Sequence, residues 1–285
     1  MCGIAGFIGY GDQGDLERMT RALAHRGPDG EGFYTDPDHG VYLGHRRLAI
    51  VDLDGGAQPM RDQDGTVTVS YNGEIYNHVE LRRELEALGH RFRSDHSDTE
   101  VLIHGWKQWG EELPLKLSGM FGFAIWDRRR KTLFLARDRF GEKPLYWARQ
   151  NGTLLFASEL GAITAHSGFT AQYDSLALKK YFAHGFVPSP NAVYRDAHKL
   201  PAGHCLRFEP GSGDLDVRAY WRFRIEPADT FPSLDEAAEA VRELLLQSIR
   251  RRLMSDVPLG VFLSGGVDSS FATAGMCRFR EPHDV

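Results

Sequence analysis

The second residue of the chain is a cysteine, and a thiol there has chemistry that a thiol elsewhere lacks. The small Cys2 side chain favours removal of Met1, which leaves Cys2 with a free α-amine. An α-amine titrates at about 7.7–8.0 and a thiol near 8.5, so the amine is a built-in base for its own nucleophile. By position alone, a small residue at a processed terminus is the plainer reading of Cys2. Ser264-Gly265-Gly266-Val267-Asp268-Ser269-Ser270 is the second candidate. Placed between a strand and a helix, it turns free backbone N–H groups and a helix N-terminus toward an anion. It lacks the lysine of a P-loop, and a Gly-rich turn with a serine cap is its plainer reading. Asn72-Gly73, after an alternating run, is the strongest short signal for a hairpin turn.

Cys2-Gly3-Ile4-Ala5-Gly6 resembles the start of mature class II, N-terminal-nucleophile glutamine amidotransferases. The resemblance continues in order through His25-Arg26-Gly27-Pro28-Asp29-Gly30, Arg47-Leu48-Ala49-Ile50-Val51-Asp52, Tyr71-Asn72-Gly73-Glu74-Ile75-Tyr76-Asn77 and Ser97-Asp98-Thr99-Glu100. It implies that Cys2 Sγ attacks the side-chain carboxamide of glutamine, giving a γ-glutamyl thioester and ammonia. It also implies that the Asn72 side-chain amide and the Gly73 N–H stabilise the oxyanion, presented by the hairpin turn. Arg47 suits the glutamine carboxylate through its bidentate fork, with Arg46 as the competing candidate. Asp98, with Glu74 nearby, suits the ammonium, although a first-turn carboxylate is also what a helix favours. Leu48, Ile50 and Val51 complete the implied glutamine site.

The 264–269 loop matches the SGGxDS pyrophosphate loop of ATP pyrophosphatases, which adenylate a carboxylate. A class II glutaminase followed by this loop resembles the glutamine-hydrolysing asparagine synthetase family. Met254 to Leu263 and Arg137-Asp138-Arg139-Phe140-Gly141-Glu142-Lys143-Pro144-Leu145-Tyr146 extend the likeness over essentially the whole chain. The resemblance implies adenylation of the aspartate β-carboxylate by ATP, and displacement of AMP by ammonia that tunnels from the glutaminase. Phe262 and Leu263 then lie near adenine, and Ser264, Gly265, Gly266, Asp268 and Ser269 bind pyrophosphate. No resident metal site is assigned; Mg²⁺ accompanies ATP, with Asp268 placed to help hold it. Family members are often homodimers. The family's aspartate-binding segments lie beyond Val285, so the acceptor is aspartate or another carboxylate. An aminosugar-forming amidotransferase is disfavoured by the 264–269 loop, and a non-catalytic glutamine sensor by the intact nucleophile, oxyanion and ligand sets.

These residues need elements to position them. Val67, Val69 and Tyr71 alternate onto one face of a strand. Asn77 to Gly89 reads as a helix with Leu81, Leu85 and Leu88 on one stripe. Ser97-x-x-Glu100 has capping-box spacing for a second helix. Gly119 to Trp126 and Thr132 to Ala136 read as a hairpin around Arg128-Arg129-Arg130-Lys131. Both faces of its first strand are apolar, so it is covered on two sides. A turn-rich boundary falls at Pro210 to Asp214. Ser233-x-x-Glu236 then opens a long helix carrying Val241, Leu245 and Ile249, and Leu259 to Leu263 reads as a short buried strand.

The expected organisation is therefore a glutaminase domain over 1–210, a linker over 211–232, and the beginning of a synthetase domain over 233–285. The fold class is α+β. The resemblance implies a four-layer αββα sandwich, followed by the first strand-loop-helix of a Rossmann-like ATP pyrophosphatase domain. One strand and one helix do not make a parallel sheet, so the second domain is expected to be incomplete.

Composition sets the outer bounds. At 285 residues, with 42% hydrophobic and 26% charged residues, the chain has the profile of a globular protein. A net charge of −5 argues against general nucleic-acid binding. No apolar run approaches a membrane span, and no secretory leader is evident. Cys2, Cys205 and Cys277 are scattered and odd in number, which disfavours disulfides and zinc and points to a reduced, cytoplasmic setting.

Overall fold

The computed structural model describes residues 1–227 and 233–280. The chain divides into two compact units, Met1–Arg222 and Phe223–Val285. In the first unit the strands are β1 Gly3–Ile8, β2 Gly30–Asp36, β3 Val41–Arg47, β4 Met60–Arg61, β5 Val67–Ile75 and β6 Gly119–Asp127. They continue with β7 Thr132–Arg137, β8 Tyr146–Gln150, β9 Thr153–Ala157, β10 Ala197–Lys199, β11 His204–Glu209 and β12 Asp214–Ala219. Its helices are α1 Gln13–Arg21, α2 His78–Ala87, α3 Asp98–Trp109, α4 Leu113–Lys116, α5 Leu160–Thr164 and α6 Ser175–His184.

The strands form two six-stranded antiparallel sheets, ordered β10-β8-β9-β1-β3-β2 and β12-β11-β7-β6-β5-β4. Three apolar cores stack them into layers. Ile4, Leu43 and Phe156 of the first sheet meet Trp126, Leu135 and Leu206 of the second. Phe7 and Leu155 pack outward on Leu16 and Met19 of α1 and Ile163 of α5. Val69, Tyr71 and Phe123 pack outward on Leu85 of α2 and Leu102 and Trp106 of α3. The unit is the αββα sandwich that the sequence implied.

β6 shows why two covered sheets follow from the sequence. Phe121, Phe123 and Ile125 enter the outer core while Ala124 and Trp126 enter the core between the sheets. The buried indoles keep hydrogen bonds: Trp126 Nε1 donates to Asp36 Oδ2 at 3.1 Å, and Trp106 Nε1 to Asp127 Oδ2 at 2.8 Å.

Several local readings change. Asn72-Gly73 is no turn; it lies inside β5, which pairs with β6 from Val67↔Asp127 to Ile75↔Gly119. Long-range pairing overrides the dipeptide's preference. Gly73 is glycine for a different reason, because a Cβ there would stand 2.1 Å from the Met120 carbonyl oxygen on β6. On α2, Leu81 and Leu85 are buried, but Leu88 is exposed where the helix ends and Gly89 takes φ +94°. Pro210 to Asp214 joins β11 to β12, so the chain stays in the sheet through Ala219 where a linker was expected. Residues 228–232 of that linker lie outside the described residues.

Ser97 caps α3 through Thr99 N at 3.3 Å, but Glu100 does not complete a capping box. Its carboxylate instead accepts the Arg93 N–H and Ser94 N–H, both at 2.8 Å, and the Ser94 hydroxyl at 2.5 Å. Burial works to raise its pKa, but the His104, Ser94 and Arg93 hydrogen bonds outweigh it and hold it at about 2. A depressed carboxylate stabilises the fold above its unfolded pKa near 4.5 and loses that contribution as pH falls toward 2. Glu100→Ala is expected to cost about 1.5–3 kcal/mol at neutral pH. Denaturant titration should show that difference narrowing below pH 4.5.

The second unit contains α7 Leu234–Arg251 and α8 Val267–Met276. The Ser233/Glu236 capping box is formed in both directions. Gly275 lets the helices approach closely, since a Cβ there would sit 2.6 Å from Ile249 Cδ1. Leu259 to Leu263 is not a strand and Phe262 is 99% exposed. A strand needs a neighbour for its ladder, and the described residues of this unit supply none. Residues 281–285 lie outside the described residues.

Candidate active site

Cys2 sits one residue before β1, whose Gly3 pairs with Arg46 on β3. Its Sγ lies between backbone groups of Leu48, 3.4 Å from the N–H and 3.6 Å from the carbonyl oxygen. Burial pushes the Cys2 thiol up, against the pull of the Leu48 N–H. The α-amine, here that of Met1, is pushed down by burial and by the Arg26 and Lys143 charges. A protonated thiol thus sits beside an amine biased toward its neutral form. Arg26 anchors this end of the chain, with Nε on the Cys2 carbonyl at 2.9 Å and Nη1 on Glu159 at 2.7 Å.

β5 supplies the facing wall. Its even-numbered side chains point between the sheets, where Asn72 is 1% exposed and its Nδ2 finds no partner among the described residues. An unmet buried donor is costly unless a ligand satisfies it. The backbone adds another donor. Phe121 spends its N–H and carbonyl on Asp138, so its pairing with Gly73 is the kind without hydrogen bonds. The N–H groups of Tyr71, Gly73 and Ile75 therefore point to the opposite edge of β5. Gln58 Oε1 takes the first at 2.7 Å and Asp98 Oδ2 takes the third at 3.0 Å. The Gly73 N–H lies between them.

Arg46 and Arg47 alternate across β3. Arg46 pairs with Glu31, whereas Arg47 lines the pocket. Arg47 donates to the carbonyls of Leu53 (2.8 Å), Val51 (3.3 Å) and Asp52 (2.6 Å), which winds the 48–56 loop around it. Those bonds occupy three of its five N–H donors. Asp98 is both cap-proximal and in the pocket wall. Burial pushes its carboxyl up, while the Ile75 N–H and the Tyr71 hydroxyl (2.8 Å) pull it down.

Cys2, Arg47, Leu48, Ile50, Val51, Asn72, Gly73, Glu74 and Asp98 all line one pocket of about 200 Å³. Gln58, Tyr71, Thr99, Met120 and Lys143 line it too, and sequence reasoning assigned none of them a role. Lys143 belongs to the segment from Arg137 to Tyr146. Asp138 brings it in, accepting from Lys143 N at 2.9 Å and Glu142 N at 2.8 Å while holding Phe121. Burial lowers the Lys143 pKa, against the pull of Glu74 and Cys2. Gln58 gave no sequence signal, because its bonds are to residues distant in the chain.

A family model described as a glutamine amidotransferase domain matches residues 1–221. The chain belongs to the glutamine amidotransferase domain family. A second model, described as asparagine synthase, matches residues 240–284. Glutamine-hydrolysing asparagine synthetase 3 of Bacillus subtilis (strain 168) is 40% identical over 282 residues, covering 96% of this chain and 45% of that protein. A putative glutamine-hydrolysing asparagine synthetase 2 of Methanocaldococcus jannaschii is 34% identical, covering 99% of this chain and 58% of that one. The amidase chry2 of Gibberella zeae is 35% identical, with 97% and 42% covered. The chain thus spans about half the length of the curated relatives it matches. In fold, this amidotransferase chain is similar to glutamine phosphoribosylpyrophosphate amidotransferase from B. subtilis. The TM-score is 0.57 at 19% identity, with 97% of this chain and 64% of the other covered.

The amidotransferase pocket belongs to the first unit; the residues expected at ATP lie in the second. Gly265 takes φ +82°, and Ser264 Oγ and Ser269 Oγ stand 3.0 Å apart at the start of α8. Asp268 is in the first turn of that helix. Phe262 and Leu263 precede the loop in exposed, irregular backbone.

Proposed function

We propose that the first unit hydrolyses glutamine to glutamate and ammonia, and that it does so for a glutamine-dependent asparagine synthetase. The observation that carries the reading is the buried, unpartnered Asn72 Nδ2 in the pocket that also holds Cys2. After Met1 is removed, the α-amine of Cys2 takes the thiol proton as Sγ attacks the glutamine side-chain carbonyl. The oxyanion forms between Asn72 Nδ2 and the Gly73 N–H, donors already oriented in the resting protein. Collapse of the adduct breaks the C–N bond, the ammonium returns the proton to the leaving nitrogen, and ammonia departs. Water then attacks the thioester to release glutamate. Arg47 binds the α-carboxylate, exchanging loop carbonyls for it, Asp98 and Glu74 bind the ammonium, and Leu48, Ile50 and Val51 close the wall.

For the whole protein, ammonia aminates an ATP-activated aspartate β-carboxylate, giving asparagine, AMP and pyrophosphate. The two hydroxyls and the glycine backbone of the 264–269 loop fit phosphate oxygens, and the Asp268 carboxylate fits a hard cation such as Mg²⁺. Phe262 and Leu263 are the residues for adenine. A second reading makes a different carboxylate the acceptor, since one relative is named as an amidase and not as an asparagine synthetase.

The test is release of glutamate and ammonia from glutamine by the chain lacking Met1. One-to-one release supports the reading; none from folded, processed protein overturns the glutaminase assignment. In the same assay Arg47→Lys is expected to raise KM about 10–100-fold, with kcat changed far less. That is the loss of charge-assisted bonds of about 1.5–3 kcal/mol that ground state and transition state share.

A further inference from the structure

The open N–H at Gly73 has a structural cause. β4 pairs with β5 only at Met60↔Val69 and Arg61↔Thr68, so the edge of β5 beyond it has no neighbouring strand. Side chains stand in for that strand. Gln58 Oε1 accepts from Tyr71 N at 2.7 Å, and its Nε2 donates to Thr99 Oγ1 at 3.3 Å beside the α3 cap. The Gln58 backbone is seated on β2, where a Cβ on Gly32 would lie 2.0 Å from the Gln58 carbonyl oxygen. Gln58 therefore ties the first sheet, the β5 edge and the start of α3 together.

We propose that Gln58 is a positioning residue for the oxyanion site, resting on the glutaminase reading above. By holding the N–H two residues before Gly73, with Asp98 holding the one two residues after, it fixes the peptide plane that aims the Gly73 N–H into the pocket. Its contribution is made to the geometry of the transition state and not to substrate affinity.

The test compares Gln58→Met with Gln58→Glu in glutamine hydrolysis. Methionine offers the Tyr71 N–H only a weak acceptor, whereas glutamate keeps a carboxylate oxygen in place. Gln58→Met is expected to lower kcat about 10–100-fold with KM within about threefold, the signature of a displaced donor. Gln58→Glu is expected to keep kcat within about fivefold of the parent, a rescue that a packing role does not predict. An unchanged kcat in Gln58→Met, a change confined to KM, or an equal loss in both variants overturns the proposal.

Amide exchange on the unmutated chain decides the matter even if Gln58→Met does not fold. The Tyr71 and Ile75 N–H groups are expected to be protected and Gly73 to exchange faster. Gly73 should then slow when a glutamine aldehyde adds to Cys2, the thiol proton passing to the former carbonyl oxygen. Equal protection at Tyr71 and Gly73 in the free protein overturns it. If the unmutated chain releases no ammonia, the fault lies with the glutaminase reading and not with Gln58.

Discussion

Cys2→Ala is expected to reduce ammonia release by roughly 10³–10⁶-fold while glutamine still binds within a few-fold of the parent affinity. Losses of that size follow removal of a covalent nucleophile; what remains comes from binding and the oxyanion donors. Affinity is spared because the proposed carboxylate and ammonium ligands, Arg47 and Asp98, sit on other elements of the same pocket. Alanine is also small enough for Met1 removal, so mass spectrometry can verify equal processing before calorimetry measures binding. In the proposed mechanism the limiting proton acceptor is the α-amine of Cys2. With Met1 still attached, burial, Arg26 and Lys143 push the terminal amine below its ordinary value of 8.0, and trimming moves the amine one residue along, next to the carbonyl that Arg26 holds. Activity is therefore expected to rise with pH through a limb centred below 8.0, as the amine loses its proton. A limb centred above 8.0 would count against the amine as base.

Asn72→Leu is expected to lower kcat by about 10²–10³-fold with little change in KM, the effect of deleting one oxyanion donor. Stability should change far less than a buried polar-to-apolar substitution usually implies. Asn72 is 1% exposed and its Nδ2 is unpartnered, so the resting fold already bears the cost of a buried, unsatisfied donor. An apolar residue of similar size removes that cost, and denaturant titration is expected to show a loss of less than about 1 kcal/mol. A large drop in both stability and activity would make Asn72 a structural residue and shift the oxyanion assignment to the Gly73 N–H alone.

Much of this architecture was legible in the sequence because it is periodic. The two-faced apolar pattern of β6 required cover on both sides, and the structure supplies the α2 and α3 layer on one and the first sheet on the other. The pocket residues came from ordered motifs, which mark the ends of β3 and β5. What the sequence hid is long-range pairing. Asn72-Gly73 carries the local signature of a turn, yet β6 captures it as strand. Glu100 carries capping-box spacing, yet the 93–94 loop offers its carboxylate more donors. Gln58 reaches the pocket through a bond to Tyr71, and nothing in its local sequence reports that partner; Lys143 is held by Asp138 of its own motif, which the residues alone gave no reason to place at the pocket. Leu259 to Leu263 has strand composition, but composition cannot provide the neighbour a strand needs.

The place of β1 also bears on how the protein is made. It runs in the middle of its sheet, between β3 and β9, with Ile8 paired to Leu154. At about 5–20 residues per second, translation from Gly3 to Thr153 takes roughly 8–30 s. Throughout that interval one edge of β1 has no partner, and the Met1–Cys2 bond is open to an aminopeptidase at the ribosome. β9 covers Ala5 to Ile8 and stops short of the terminus, and Met1 stays 58% exposed in the folded unit. The nucleophile therefore remains open to maturation after the sheet has closed around the strand that carries it.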